Sequence, residues 1–237
     1  MSSMKLQLPK HVAFILDGNR RFGKLVMGDR LAGHRFGSDK VLEVLRWCQE
    51  YDIREVTMWV FSTDNFNRPE KEVSLIMQLF IEKLKAVVNN KDIHKQEVRI
   101  NFCGRTDLFP QKVQQSMSQV VDATKGYSKF VVNMAVGYGG HQEILDVAKS
   151  LARKAVAGEL SPDQIASKDF EAAMYLDLPD IDLIIRTGGV RRTSGFMPWK
   201  GAYAEWYFTE KFWPELDKTD FIRALTDYSE RKRRFGK

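Results

Sequence analysis

Short apolar runs alternate along this chain with longer segments in which apolar residues recur at helical spacing. The short runs are rich in β-branched and aromatic residues and predict strands at 11–16, 55–61, 97–103, 129–136, 181–185 and 202–208. The longer segments predict helices at 36–50, 70–89, 111–124, 141–157, 162–175 and 218–233. This alternation favours an α/β fold with a central, mostly parallel six-stranded sheet flanked by helices.

Signals for helix ends and the length of the chain refine this prediction. Ser161 followed by Pro162 is typical of an N-cap with proline at the first helical position, and Gly158 predicts the end of the preceding helix. The chain has 237 residues, of which 43% are hydrophobic, and it contains no long polar linker. We therefore expect a single domain over 1–237 with a sizeable core.

The net charge of +6 allows nucleic acid, an anionic membrane or a phosphorylated small molecule as a partner. A nucleic-acid-binding face predicts basic residues with interleaved aromatics, whereas many arginines here cluster near glycines at predicted strand ends, so we expect no nucleic acid. Apolar runs of membrane-spanning length and a signal peptide are both absent from the sequence, which predicts a cytoplasmic protein. Cys48 and Cys103 lie in apolar runs and are predicted to be buried, reduced thiols.

The segment 186–196 directly follows an apolar run and is dense in arginine, hydroxyl side chains and glycine. Guanidinium forks match phosphate oxygens, and glycine lets backbone N–H groups approach an anion closely. The segment is therefore a candidate diphosphate site. A solvated basic turn explains it equally well when it is taken alone.

A second candidate anion site ends the apolar run 11–16, where Asp17 is followed by Gly18, Asn19, Arg20 and Arg21. Asp17 is either a structural salt-bridge partner or the ligand of a hard cation that bridges diphosphate oxygens. Ligands of open parallel sheets bind at the carboxyl ends of strands, where both segments begin. Two such segments indicate two phosphorylated substrates.

Two further features add candidate polar groups to these segments. His34, near Arg30, is either a structural histidine or a group that donates to phosphate or shuttles a proton. The loop 61–69 is either a turn with an N-cap or a binding loop in which Arg68 adds a cation and Asn65 a neutral donor or acceptor.

The apolar helix predicted at 70–89 is either plain core or the wall of a cavity for an aliphatic tail. In the second case each five-carbon unit adds about 4 kcal/mol on burial. Phe80 or Met77 would then form the floor of the cavity.

In this order, these features together resemble the cis-prenyltransferases, the family of undecaprenyl diphosphate synthase. The matching elements are 11–22, 33–37, 61–69, 133–140, 186–208 and 233–236. The resemblance implies a homodimer with an apolar tunnel between the sheet and two helices. It also implies the Mg²⁺-dependent condensation of an allylic prenyl diphosphate with isopentenyl diphosphate, which forms a new Z double bond.

The resemblance assigns roles position by position. Asp17 binds Mg²⁺ and acts in catalysis with His34 and Asn65, and Glu205 completes the metal site near the dimer interface. The allylic substrate contacts Gly18, Asn19, Arg20, Arg21, Phe22, Arg30, His34, Phe61, Ser62, Asn65, Phe66 and Arg68. The isopentenyl diphosphate contacts Arg186, Arg192 and Ser194.

The chain departs from the family pattern at the second site, where Val190 replaces a glutamate, Met197-Pro198 replaces two leucines and Lys200 replaces a glutamine. Relatives that perform irregular couplings of allylic diphosphates share the first change and carry a proline nearby, but they tend to lose the aspartate that is Asp17 here. We therefore favour head-to-tail condensation to a short- to medium-chain product. The alternatives are an irregular coupling, which joins allylic diphosphates or uses an acceptor other than isopentenyl diphosphate, and a non-catalytic partner subunit.

The basic tail 231–237 is a candidate for dimer contact or for peripheral contact with anionic lipid.

Overall fold

The computed structural model describes residues 7–231 and contains one fully parallel sheet in this range. Its strands are β1 (His11–Ile15), β2 (Glu55–Ser62), β3 (Val98–Cys103), β4 (Phe130–Tyr138), β5 (Leu183–Arg186) and β6 (Glu205–Phe208). The strand order is β3-β4-β2-β1-β5-β6. The six predicted strands are confirmed, although the last is shorter than the predicted run 202–208.

The described residues form eight α-helices around the sheet. They are α1 (Asn19–Met27), α2 (Ala32–Glu50), α3 (Glu70–Val88), α4 (Lys91–Lys95), α5 (Gln111–Thr124), α6 (Gly140–Val156), α7 (Ser167–Ala172) and α8 (Lys218–Glu230). The sequence prediction missed α1 because Gly18 provides no side-chain cap and Gly23 lowers helix propensity in its middle. Packing against α2 stabilises α1 instead.

The helix predicted at 162–175 is wrong as a continuous element. The structure has a 3₁₀ turn over Pro162–Gln164, and the chain becomes extended at Ile165 and Ala166 before α7 begins. The Ser161 side chain makes no capping hydrogen bond. The end of α6 is as predicted, since Gly158 adopts a left-handed conformation with φ of 74°.

Side chains alternate between two cores on opposite faces of the sheet. Val12 and Phe14 of β1 point into the larger core, which also receives side chains from α2, α3, α5 and α8. Ala13 and Ile15 point into the smaller core with Phe196 and Met197. Burial of both faces explains the nearly continuous apolar sequence of β1.

Both cysteines are buried free thiols, as predicted, and burial raises the pKa of each. Across residues 7–231, every helix is too short or too polar to cross a bilayer.

Candidate active site

A cavity of about 700 Å³ extends from the carboxyl ends of β1, β2 and β5 between the sheet and helices α2 and α3. Its polar end is lined by Asp17, Gly18, Asn19, Arg20, Arg21, Arg30, His34, Ser62, Asn65, Arg68, Arg186 and Ser194. Its apolar end is lined by Val41, Leu42, Ile76, Leu79, Phe80, Leu84, Val87, Phe102 and Met134. Most of the predicted substrate residues therefore share one cavity, and its wall includes Phe80 but not Met77.

Asp17 lies at the centre of the polar end, two residues after β1. Thr187 Oγ1 and the Trp213 backbone N–H both donate to its backbone carbonyl, which fixes the turn. Its carboxylate accepts from Arg21 Nη2 at 3.1 Å and from Arg186 Nη2 at 3.0 Å. Asp17 therefore joins the two arginine-rich segments that the sequence places far apart.

Gly18 turns the chain from Asp17 into α1 with φ of 107°, and a Cβ there would lie 2.7 Å from the Phe212 ring. Both the backbone angle and the crowding require glycine. Asn19 begins α1 and donates from Nδ2 to the Leu16 carbonyl, whereas its buried Oδ1 has no hydrogen-bond partner. A Cβ at Gly33 would lie 1.9 Å from the Asn19 carbonyl oxygen, so α1 can approach α2 only because this residue is glycine.

His34, Arg68 and Arg20 meet at a residue that the sequence prediction missed, Glu72 in the first turn of α3. Glu72 Oε1 lies 3.0 Å from His34 Nε2, 3.2 Å from Arg68 Nη1 and 3.4 Å from Arg20 Nε. Burial lowers the pKa of His34, and the neighbouring Glu72 carboxylate partly opposes that shift. The sequence signal that could have revealed Glu72 is its spacing of four residues from Arg68 on a helix start.

The loop after β2 forms a 3₁₀ turn over Thr63–Asn67. Asn65 Oδ1 accepts from the Ser62 backbone N–H at 3.1 Å, so the turn is capped locally and both residues face the cavity. Phe61 also lines the cavity, but Phe66 does not and packs on Phe61 and Phe109. Phe66 therefore supports the wall of the site from behind.

Phe22 also lies outside the cavity lining and packs edge-on against Phe36 of α2 at a ring distance of 5.7 Å.

The side chain of Arg186 is 6% exposed and spans both halves of the site. Besides its bond to Asp17, its Nη1 donates to the Arg192 carbonyl at 2.6 Å and to Ser194 Oγ at 2.8 Å. Ser194 has a left-handed backbone with φ of 52°, which is rare outside glycine and marks a constrained turn. The side chain of Arg192 is exposed and does not line the cavity.

The departures from the family pattern lie where segment 187–200 is anchored. Lys200 is 5% exposed and pairs with Glu171 of α7 at 3.2 Å and with Asp180 at 3.8 Å. Trp199 stacks on Phe170, and Phe196 stacks on Trp59. These contacts hold the segment that carries Ser194 against α7 and the sheet.

Glu205 lies away from the other predicted site residues. It begins β6 opposite Leu183, at the amino end of a strand whose carboxyl end pairs with Arg186. Its carboxylate accepts from Arg231 Nη1 at 2.7 Å. Within one chain, Glu205 and Asp17 therefore lie at opposite ends of the sheet.

The donor set at Asp17 fits Mg²⁺ held jointly by protein and substrate. Within 7–231, no cluster of three or more His, Cys, Asp or Glu side chains could hold a metal ion. Mg²⁺ is commonly bound by one or two carboxylates with substrate phosphates and water completing its shell. The Asp17 carboxylate is partly exposed in a cavity lined by several arginines, so it could supply such a ligand beside a bound diphosphate.

Comparisons with known proteins agree along nearly the whole chain. Residues 15–236 match the prenyltransferase family model described as undecaprenyl diphosphate synthase. The chain is 45% identical over 236 residues to the tritrans,polycis-undecaprenyl-diphosphate synthase (geranylgeranyl-diphosphate specific) of Methanocaldococcus jannaschii, covering 98% of this chain and 84% of that one. It is 43% identical over 235 residues to an isoprenyl transferase of Thermus thermophilus, covering 97% and 89%.

Among solved structures, the fold is similar to lavandulyl diphosphate synthase from Lavandula x intermedia in complex with dimethylallyl diphosphate. The TM-score is 0.91 at 30% identity, and the match covers 97% of this chain and 99% of that one.

Proposed function

Since the chain belongs to the undecaprenyl diphosphate synthase family and is a prenyltransferase, we propose that it condenses an allylic prenyl diphosphate with isopentenyl diphosphate to a Z-polyprenyl diphosphate. The observation that carries the proposal is the cavity itself. One end presents Asp17 between the two arginine-rich segments, and the other end is an apolar wall that a prenyl tail could contact.

The allylic substrate reacts by losing diphosphate, which leaves a cation delocalised over its double bond. The protein must therefore stabilise the departing negative charge, and Arg20, His34 and Arg68 line the polar end for that purpose. Mg²⁺ bound at Asp17 would neutralise part of the diphosphate charge. This chemistry requires no protein nucleophile.

The acceptor must be held with its double bond within reach of that cation. Arg186, Arg192 and Ser194 are proposed to hold the isopentenyl diphosphate, and the anchored segment 187–200 fixes Ser194 relative to Asp17. Fixing both reactants makes the coupling effectively intramolecular.

The tail of the allylic substrate is proposed to lie along α2 and α3. The relative from Methanocaldococcus jannaschii is described as specific for geranylgeranyl diphosphate, and this chain is 45% identical to it over 236 aligned residues. We therefore propose geranylgeranyl diphosphate as the preferred allylic substrate. Burial of each five-carbon unit contributes about 4 kcal/mol, so the apolar wall selects among tails of different length.

One comparison favours a second candidate, irregular coupling. Lavandulyl diphosphate synthase shares the fold, and this chain carries Val190, Met197 and Pro198 where the regular pattern has a glutamate and two leucines. The presence of Asp17 with its two arginine partners supports head-to-tail condensation instead. The same retained residues argue against a non-catalytic partner subunit.

We also propose that the active unit is a homodimer in which the amino end of edge strand β6 lies near the partner. Glu205 is the second metal ligand that the family resemblance implies, but it lies at the opposite end of the sheet from Asp17 of the same chain. In a dimer, the Glu205 of one protomer could lie near the Asp17 of the other. Most of the basic tail 231–237, which the sequence suggested for dimer or lipid contact, lies outside the described residues.

The test is to incubate the protein and Mg²⁺ with dimethylallyl, geranyl, farnesyl or geranylgeranyl diphosphate, each with and without labelled isopentenyl diphosphate. Products are identified by mass and by retention against E and Z standards. Label incorporated in five-carbon steps with Z geometry supports the proposal, with the highest rate for geranylgeranyl diphosphate. Product formed only without isopentenyl diphosphate identifies irregular coupling, and no product in any pairing contradicts both.

A further inference from the structure

Glu72 collects three donors from three different elements on a single carboxylate oxygen. Arg20 comes from α1, His34 from α2 and Arg68 from the loop before α3, and all lie within 3.4 Å of Oε1. The Glu72 side chain is only 4% exposed. A carboxylate this buried is stable because it is paired several times over.

The position of Glu72 relative to the cavity defines what it does. His34, Arg68 and Arg20 all line the cavity, whereas Glu72 does not, so the carboxylate contacts them from behind. Two guanidiniums and an imidazole share one negative charge. The Nε of Arg20, although ion-paired at 3.4 Å, makes no hydrogen bond. With two guanidiniums and one carboxylate, the cluster carries a net positive charge next to the cavity.

The contact also fixes the tautomer of His34. A carboxylate can only accept, so Nε2, 3.0 Å from Glu72, carries a proton. In a neutral ring Nδ1 is then an acceptor, and it cannot bond to a diphosphate oxygen, which is itself an acceptor. The ring can bond to a diphosphate only if Nδ1 is also protonated.

We propose that Glu72 is a positioning residue that orients His34, Arg68 and Arg20 toward the allylic diphosphate and stabilises a proton that His34 takes up as the diphosphate binds. The proton comes from solvent and adds to Nδ1, and no other bond changes. This inference rests on the proposed function, since it assigns a role to that same diphosphate site.

The charges around His34 account for an uptake on binding. Burial and the cations Arg68 and Arg20 lower the pKa of the ring, whereas Glu72 raises it, and the balance leaves the pKa below its ordinary value of 6.5. The ring is therefore neutral at pH 7.5 before ligand binds. A diphosphate arriving on the open side adds negative charge and raises that pKa.

The experiment compares Glu72→Gln with a matched control, Glu82→Gln. Glu82 lies on the same helix, but it is exposed and pairs only with Arg35 at 3.6 Å among the described residues. Both changes remove one negative charge from α3. Calorimetric titration with geranylgeranyl diphosphate, without acceptor, is run at pH 7.5 in two buffers of different ionisation enthalpy, which together report the protons taken up.

We expect proton uptake in the wild type and in Glu82→Gln, and its loss in Glu72→Gln together with an affinity weaker by about tenfold or more. Uptake and affinity that survive in Glu72→Gln would overturn the inference. Should Glu72→Gln fail to fold, His34→Gln provides a second test, because it removes the titrating ring and leaves Glu72 in place. Uptake that persists in His34→Gln would also overturn it.

A parallel titration with inorganic diphosphate separates this inference from the proposed function. Diphosphate that binds with Glu72-dependent uptake, while geranylgeranyl diphosphate does not bind, supports the role of Glu72 and contradicts the proposed substrate. If geranylgeranyl diphosphate binds without proton uptake, the substrate is supported and the inference fails. If neither probe binds, both fail.

Discussion

Asp17 contacts both arginine-rich segments, so a change at this one carboxylate tests the centre of the site. Asp17→Asn keeps the shape but removes the charge that pairs with Arg21 and Arg186 and that would hold Mg²⁺. We expect turnover to fall on the order of a hundredfold to a thousandfold. Steady-state rates, with circular dichroism to verify folding, measure this effect.

The control is Asp122→Asn, which removes an exposed carboxylate of α5 paired with Lys125. Comparable losses in both variants would contradict the assignment of Asp17.

His11 lies at the amino end of β1, away from the candidate site, and it makes the free energy of unfolding depend on pH. Burial lowers its pKa to about 4, and the neutral ring lies between the Pro179 carbonyl and the Thr57 hydroxyl. An unfolded histidine titrates near 6.5, so the unfolded state binds the extra proton as pH falls from about 6.5 to about 4. We therefore expect no effect of His11 titration above about pH 6.5. Below it, the free energy of unfolding should fall by about 1.4 kcal/mol per pH unit until the pH reaches about 4.

Urea unfolding of the wild type and of His11→Gln at pH 7 and pH 5 measures the contribution. Glutamine can donate to the Pro179 carbonyl and accept from Thr57, but it does not titrate. The wild type should therefore lose about 2 kcal/mol more than the variant between the two pH values. Equal losses would show that the unfolded and folded states bind this proton alike.

Sequence alone predicts those site residues that follow a strand directly. Asp17 and Arg186 are of this kind, because the carboxyl ends of parallel strands converge at one edge. For Glu72, the sequence offers only its spacing of four residues from Arg68, because its contacts with His34 and Arg20 depend on α1, α2 and α3 meeting around it. The position of Glu205 at the far end of β6 likewise depends on register, which the run 202–208 does not define.

Among the elements, α3 forms much of the apolar wall, and its last turn limits the cavity. Val87 lines both the main cavity and a smaller one of about 120 Å³ that adjoins it, whereas the next residue, Val88, lines neither. We expect Val87→Phe to shorten the product by about one or more five-carbon units, because the larger ring occupies space that the tail needs. Product mass after exhaustive extension measures the length.

Val88→Phe adds the same volume beside the cavity rather than inside it, and the product length should not change. If both variants shortened the product equally, the effect would come from disturbed packing of α3 rather than from a filled cavity, and the prediction would be wrong.

Helix existence was more predictable than helix bounds or connections. Long amphipathic segments such as 111–124 and 141–157 give a clear period, and α5 and α6 lie there. In contrast, α1 has no capping side chain and a central glycine, and it is stabilised by packing on α2 that the local sequence does not encode. The predicted helix 162–175 breaks because Ile165 and Ala166 are extended, and the Asp169 carboxylate accepts from the Ala166 backbone N–H where α7 begins.

On the scale of the whole molecule, Arg186 connects parts of the chain that are distant in sequence. Its guanidinium binds Asp17 after β1 and both Ser194 and the Arg192 carbonyl after β5. Lysine carries the charge but cannot reproduce a planar fork with several fixed donors. We therefore expect Arg186→Lys to raise KM for both substrates by about tenfold, measured with each substrate varied in turn.

Arg191→Lys is the matched control, because Arg191 is an exposed neighbour paired with Glu210 at 3.7 Å. An increase confined to isopentenyl diphosphate in Arg186→Lys would mean that the guanidinium serves one half of the site only.

Under the proposed function, the shared guanidinium would also link the binding of the two substrates. Mg²⁺ bound with the allylic diphosphate would compete with Arg186 for the Asp17 carboxylate, and an N–H of Arg186 released in this way could donate to the second diphosphate. By thermodynamic reciprocity, the factor by which one substrate changes the affinity for the other equals the factor by which the other changes the affinity for the first. In the proposed reaction, a single guanidinium would therefore couple the binding of the allylic substrate to the binding of its acceptor.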